Sequence, residues 1–251
     1  MEQDVVKLLY PDPQIALVIM QDVVNKNTFT KELIYGLIEK FTEAEKNENC
    51  KVIILTGYGN YFACGGTKED LIRISEGKID FTDSAGERNM YSLPLDCKLP
   101  VISAMQGHAL GGGFALGLFA DFVLMAKESV YQASFMKYGF TPGFGATGIF
   151  PQKLGIALAE EILLTAKAFR GEELSKRGIP FAVYKRDQVL EHAIELARDI
   201  SKKPKDSLIL LKAHLVASIK EALPEIIQKE LAMHDRTFHK KEVIACINNL
   251  Y

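Results

Sequence analysis

The stretch Ala109–Ala126, ALGGGFALGLFADFVLMA, constrains this chain more than any other. It is the longest apolar run, yet it holds the triplet Gly111–Gly113, a fourth glycine at Gly117, and Asp121. A membrane span tolerates neither an unpaired aspartate nor a glycine triplet well, whereas a short buried helix followed by a buried strand accommodates both. The expected elements are a helix over Gly111–Phe119 and a strand over Phe122–Met125. Pro100–Met105 and Val52–Thr56 are further uninterrupted apolar runs of strand length, and both are followed by glycine-rich loops. Strands apolar on both faces belong inside a parallel sheet covered on each side, so the chain reads as α/β.

The remaining pattern fits that class. Val5–Leu9 and Ile15–Met20 are expected strands around the turn PDPQ. Thr30–Lys46 carries Leu33, Ile34, Leu37, Ile38 and Phe41 at amphipathic helix spacing, with Thr28 as the expected cap. Lys68–Ser75 is a shorter helix. The texture changes from about Val183, where Asp187–Ser201, Ser207–Ser218 and Leu223–Phe238 are helical patterns separated by the breakers KKPKD and ALPE. The expected organisation is an α/β core of strand–strand–helix units over residues 1–186 and a helical C-terminal region over 187–251.

Composition excludes some function classes. A formal net charge of −2 leaves no electrostatic footprint for nucleic acid or for an anionic membrane. Lys202-Lys203-Pro204-Lys205 and His239-Lys240-Lys241 read as solvated helix ends. The four cysteines, Cys50, Cys64, Cys97 and Cys246, form no CxxC pair, so neither a zinc site nor a disulfide framework is expected. MEQDVVKLL lacks the charge order of a secretion signal, and the expected location is the cytoplasm.

Three glycine clusters remain. Gly143–Gly148, GFGATG, matches a dinucleotide-binding pattern but follows Pro142 rather than a strand, and no acid stands about twenty residues on; a dinucleotide site is rejected. The other two, Gly57–Thr67 (GYGNYFACGGT) and Gln106–Gly117 (QGHALGGGFALG), each follow a buried strand and lead into a helix. Neither carries a Walker lysine. Free N–H groups at two such helix starts can together form a hole for one developing oxyanion, and losing one such donor typically costs ~2.7–4 kcal/mol of barrier.

On these residues the chain resembles the crotonase (enoyl-CoA hydratase/isomerase) superfamily, whose oxyanion hole is built by an F-x-x-G-x loop and an N-G-x-A-x-G-G-G loop. Here they read Phe62–Gly66 and Gln106–Gly113. The resemblance implies a spiral (ClpP-like) crotonase fold, Gly66 and Gly112 as the N–H donors, and a homotrimer or hexamer. The two glutamates with which family hydratases activate water are absent: their positions hold Ala115 and Phe135. Without that acid and base, hydration is not expected. Decarboxylation needs no base, only a sink for the electron pair.

NYFACGGT, MQGHALGGGFALGLFAD, FMKYGFTPGFGAT and LAMHDRTFH are similar to the decarboxylases of polyketide β-branching cassettes. That similarity implies a 3-methylglutaconyl-type thioester on the phosphopantetheine of an acyl carrier protein, cassette enzymes as partners, and no metal or redox cofactor. It implies His234 as a catalytic histidine, with His239 a second candidate, and a lysine after the first loop to hold the substrate carboxylate. Asp80 stands at that lysine's place, and Lys78 is two residues earlier. Phe135, Tyr138 and Phe140, with Ala115, are expected to border the substrate, while His108 is expected to make a structural hydrogen bond. Two alternatives stay open: a double-bond isomerase of the same fold, and a non-catalytic subunit that binds acyl carrier protein.

Overall fold

The computed structural model describes residues 4–79 and 89–251. Strands β1 (Val6–Asp12) and β2 (Ile15–Met20) form an antiparallel hairpin. β1 runs further than expected, so Pro13 and Gln14 alone make the turn, where the Asp12 carboxylate accepts the Gln14 N–H at 2.8 Å. Pro11 is tolerated in β1 because this is an edge strand, which need not donate on its outer side. Helix α1 (Lys31–Lys46) is capped by Thr30, whose hydroxyl accepts from the Leu33 N–H. Thr28, the expected cap, pairs instead with Gly65 in an isolated parallel bridge.

Three strand–strand–helix units follow. β3 (Val52–Thr56) and β4 (Tyr61–Ala63) lead to α2 (Lys68–Ser75), with the short α3 (Leu93–Asp96) beyond it. β5 (Val101–Met105) and β6 (His108–Leu110) lead to α4 (Gly112–Leu118). β7 (Phe122–Ala126), β8 (Val130–Gln132) and a 3-10 turn at Met136–Tyr138 lead to α5 (Ala146–Leu154) and α6 (Ile156–Thr165). Each unit gives its first strand to one sheet and its second to another. The large sheet has the order β1-β2-β3-β5-β7-β10 and is parallel from β2 onward. The small sheet has the order β4-β6-β8-β9, with β9 at Phe169–Arg170. After α7 (Gly171–Lys176), β10 (Ala182–Tyr184) closes the large sheet. This is the repeated-unit spiral expected from the sequence.

The all-apolar runs are explained by cover on both faces. Val101, Ile53, Leu55 and Met105 belong to the main core with the small sheet and α4; Val52, Ile54, Ile102 and Leu124 face the other way. That second face is covered by α8 (Val189–Ser201), which lays down Val189, Ala193, Ala197 and Ile200 along one stripe. Full burial of residues such as Val189 contributes ~1.5–3 kcal/mol each.

The expected break at ALPE does not occur. Helix α9 runs unbroken from Lys205 to Thr237 with Pro224 inside it. An interior proline costs about 3 kcal/mol through its missing N–H and its ring clash. Ile219 and Leu223 on one side of it, and Ile226 and Ile227 on the other, pack against the main core and offset that cost. Further in, Lys212 donates to the carbonyls of Pro94 and Leu99 and pairs with Asp121 at 2.7 Å, which pins α9 to the core. Helix α10 (Lys241–Leu250) then returns against α2 and the 3-10 turn. Among the described residues no helix is long and apolar enough to cross a membrane.

Candidate active site

The two glycine loops meet. A Cβ placed on Gly65 would lie 3.0 Å from the Leu110 carbonyl oxygen and 3.2 Å from the Gly112 nitrogen. Gly65 has φ +77 and Gly111 has φ +54, conformations that glycine adopts without strain. The local hydrogen bonds fix which way the next N–H points. The Gly65 carbonyl accepts the Phe29 N–H at 2.8 Å, and C=O and N–H point oppositely across a trans peptide. The Gly66 N–H is thereby turned away from Phe29. The Gly111 carbonyl accepts from the Phe114 and Ala115 N–H groups inside α4, so the Gly112 N–H leaves the helix at its N-terminal end. No backbone carbonyl of the described residues takes either N–H.

Both donors border one cavity of about 520 Å³, within the usual range for small-molecule sites. Phe29, Tyr91 and Phe144 wall one part, and Phe135, Tyr138 and Phe140 another. The three aromatic residues after β8 are thus where the sequence suggested. Ala115 is not: it is fully buried in the main core, one turn inside α4, and does not line the cavity. Its importance is that the position carries no acid. Asp70 is the one carboxylate lining the cavity among the described residues. Thr67 donates to it at 3.0 Å while accepting the Asp70 N–H, a reciprocal cap on α2, and Arg73 stands 3.4 Å away.

His234 is buried, but it stands behind the cavity wall rather than in it. Its Nε2 is 2.7 Å from the Thr141 carbonyl oxygen, and its ring lies edge-on to Phe140. Burial holds its pKa below the ordinary histidine value, which favours the neutral ring. Lys78 is not brought to the cavity: its side chain is 65% exposed and pairs with Glu76 at 2.7 Å. Asp80, together with the rest of the segment through residue 88, lies outside the described residues. His239 has its Nδ1 3.2 Å from the Ser75 carbonyl oxygen and does not line the cavity. His108 plays the expected structural part, accepting the Val130 N–H at 2.9 Å.

Several lining groups were not foreseen. Lys26 and Lys137 bring cations to the cavity. Lys137 reaches the Leu250 carbonyl at 3.2 Å and lies over the Tyr138 ring. Tyr251 donates its hydroxyl to the Gly66 carbonyl at 2.8 Å and stands beside Tyr138, and burial pushes its pKa up to about 12. Cys64, between the β4 strand and the first glycines, is pushed up to about 11 by burial, which keeps it a thiol. The adjacency of Lys137 to Tyr138 in FMKYG was visible in the sequence, whereas nothing in it points Lys26 or Tyr251 at the same cavity. GFGATG is no phosphate loop: it is the turn that carries Phe144 to the cavity and starts α5.

Known proteins share both the sequence and the fold of this chain. Residues 12–249 match the family model described as Enoyl-CoA hydratase/isomerase. The chain is 53% identical over 251 residues to the bacillaene synthase decarboxylase PksI of Bacillus subtilis (strain 168), covering 100% of this chain and 99% of that protein. It is 29% identical to the probable enoyl-CoA hydratase EchA14 of Mycobacterium tuberculosis, over 90% of this chain and 87% of the relative. Among solved structures, one from a dehydratase/decarboxylase enzyme couple involved in polyketide beta-branching superposes with a TM-score of 0.96 at 53% identity, covering 100% and 98% of the two chains. The ECH2 decarboxylase domain of CurF from Lyngbya majuscula superposes with a TM-score of 0.94 at 43% identity, covering 99% of this chain and 100% of that one.

Proposed function

The chain belongs to the enoyl-CoA hydratase/isomerase family, and within it we propose that this enzyme is a decarboxylase of polyketide β-branching that acts on a 3-methylglutaconyl-type thioester carried by an acyl carrier protein. One observation supports the chemistry: Gly66 and Gly112 border one cavity, no backbone carbonyl of the described residues takes either N–H, and the sole lining carboxylate among the described residues is tied up in a helix cap. Such a site stabilises an oxyanion and offers no acid–base pair to add water.

The reaction balances with one proton taken up from water and no other reagent. The bond between the terminal carboxylate and its neighbouring carbon breaks, and carbon dioxide leaves. The electron pair moves through the double bond onto the thioester oxygen, giving a dienolate held by the two N–H groups. One proton returned to the terminal carbon then yields the 3-methylcrotonyl-type thioester. The aromatic walls exclude water from the departing carboxylate, which favours its loss. Neither metal nor redox cofactor enters this reading, and the thioester is delivered on phosphopantetheine.

The substrate carboxylate needs a cation. Lys26 and Lys137 already line the cavity, whereas Lys78 must first release Glu76. In this reading His234 acts on the reacting end through the Phe140 wall and the Thr141 carbonyl that it engages. Carrier protein and cassette enzymes are its partners, the assembly is a homotrimer or hexamer, and the location is cytoplasmic. An isomerase would need a base, and Asp70 is held by Thr67 and Arg73. The test is mass spectrometry of 3-methylglutaconyl-loaded carrier protein incubated with wild type, Gly112→Pro and His234→Ala. Wild type is expected to remove one carbon dioxide, with Gly112→Pro slowed severely. A double-bond shift without mass loss would replace this reading with the isomerase, and no change on any thioester would replace it with the scaffold.

A further inference from the structure

Glu230 is a buried carboxylate that the reaction above does not use; it is 1% exposed. It reaches from α9 to the start of α5, accepting the Gly145 N–H at 2.7 Å, the Thr147 N–H at 2.8 Å and the Thr147 hydroxyl at 2.6 Å. The N-cap position of α5 is Gly145, which has no side chain of its own to accept those N–H groups. One turn along α9, His234 engages the Thr141 carbonyl, and three residues beyond that Thr237 meets the Thr141 hydroxyl at 3.1 Å. One face of α9 thus grips both ends of the segment 141–147. Between the grips stands Phe144 with φ +65, a left-handed conformation that a bulky residue keeps only when its surroundings impose it. Its ring contacts Tyr91, and two of its carbons lie 3.5 Å from where a Cβ on Gly112 would be.

We propose that Glu230 is a positioning residue of the active site, holding Phe144 against Gly112 so that the acyl group stays on the oxyanion donors and water stays off them. The inference rests on reading Gly112 as such a donor. The route from Glu230 to the donor is continuous: carboxylate to the Gly145 and Thr147 peptide groups, those peptides to the Phe144 backbone, and the Phe144 ring to the Gly112 edge of the cavity. Glu230→Gln keeps the shape but puts an amide N–H₂ where one of the three donors now finds an oxygen.

Steady-state kinetics on loaded carrier protein tests this, with Glu230→Gln, Phe144→Ala and the double variant, each first checked for a cooperative thermal transition. Glu230→Gln is expected to lower kcat about tenfold with KM within about twofold, and the double variant to fall no further than the worse single one, because contacts in one chain of action are non-additive. A purely structural glutamate would lower the melting temperature and leave kcat unchanged; that result, or a double variant equal to the product of the singles, would overturn the proposal. If Glu230→Gln does not fold, Thr147→Val removes only the hydroxyl bond. It should then lower kcat about threefold and again non-additively with Phe144→Ala, and an unchanged kcat would overturn the proposal. Inactive wild type would instead remove the decarboxylase reading itself.

Discussion

The two glycine loops of the active site contribute the same atom, a backbone N–H, but they need glycine for different reasons. In the first loop, a Cβ on Gly66 would meet nothing closer than a Leu71 methyl at 3.5 Å, an ordinary contact. In the second, a Cβ on Gly112 would lie 2.8 Å from Phe29, and one on Gly113 would lie 2.2 Å from the Ala63 carbonyl oxygen. Each loop also holds one left-handed glycine, Gly65 or Gly111, so the contrast lies at Gly66, which has room for a side chain, against Gly112 and Gly113, which do not, because Phe29 crowds the one and α4 packs directly on β4 at the other. Packing at Gly113 can therefore be probed by substitution apart from the proposed oxyanion donors at Gly66 and Gly112.

The largest effect is expected from Gly112→Pro. It removes the N–H and should lower turnover by about 10²–10³-fold, the usual loss for one oxyanion donor; retained turnover would break the pairing of the loops. Gly113→Ala should instead act on folding, because its Cβ meets backbone that cannot move aside. A loss of ~1–3 kcal/mol or more in urea unfolding is expected from such overpacking, read with little change in KM for whatever folds. Gly66→Ala should be the mildest of the three, with the fold kept and kcat within about threefold, since the N–H survives and the methyl finds room. A collapse of activity in Gly66→Ala would show that the first loop is as tightly packed as the second.

Two smaller effects extend the contrast to the cations and to α9. Lys137→Ala should raise KM or lower kcat several-fold, and Lys78→Ala should change them less, because of these two Lys137 alone lines the cavity. The reverse order would give the substrate carboxylate to Lys78. His234 has its pKa held down by burial, so the unfolded chain takes up that proton first as pH falls. The stability it contributes is full above the ordinary histidine value near 6.5 and is lost as pH falls below it. Urea midpoints measured from pH 7.5 to 5.5 should decline in wild type and decline less in His234→Gln.

Much of this arrangement was legible in the sequence where local signals and burial agree. VIILT and VISAM read as buried strands because both sheet faces are covered, and the two glycine loops that follow them do meet at one cavity. Legibility fails where one element answers to a distant one. Pro224 should end a helix, but core contacts on both sides carry α9 through it. Thr28 looked like a cap and is taken by Gly65. Lys78 and His234 followed from family resemblance, and neither lines the cavity, because Glu76 takes the first and the Thr141 carbonyl takes the second. Glu230 carried no signal, since its partners are more than eighty residues away in sequence.

In the proposed reaction the Gly66 and Gly112 N–H groups hold the thioester oxygen. Infrared difference spectroscopy of a ¹³C-labelled thioester carbonyl in bound 3-methylcrotonyl pantetheine tests it most directly. The predicted result is a carbonyl stretch shifted to lower frequency in wild type and returned toward its solution value in Gly112→Pro. An unshifted carbonyl in an enzyme that still releases carbon dioxide would contradict it, and would place the electron sink somewhere other than the two glycine loops.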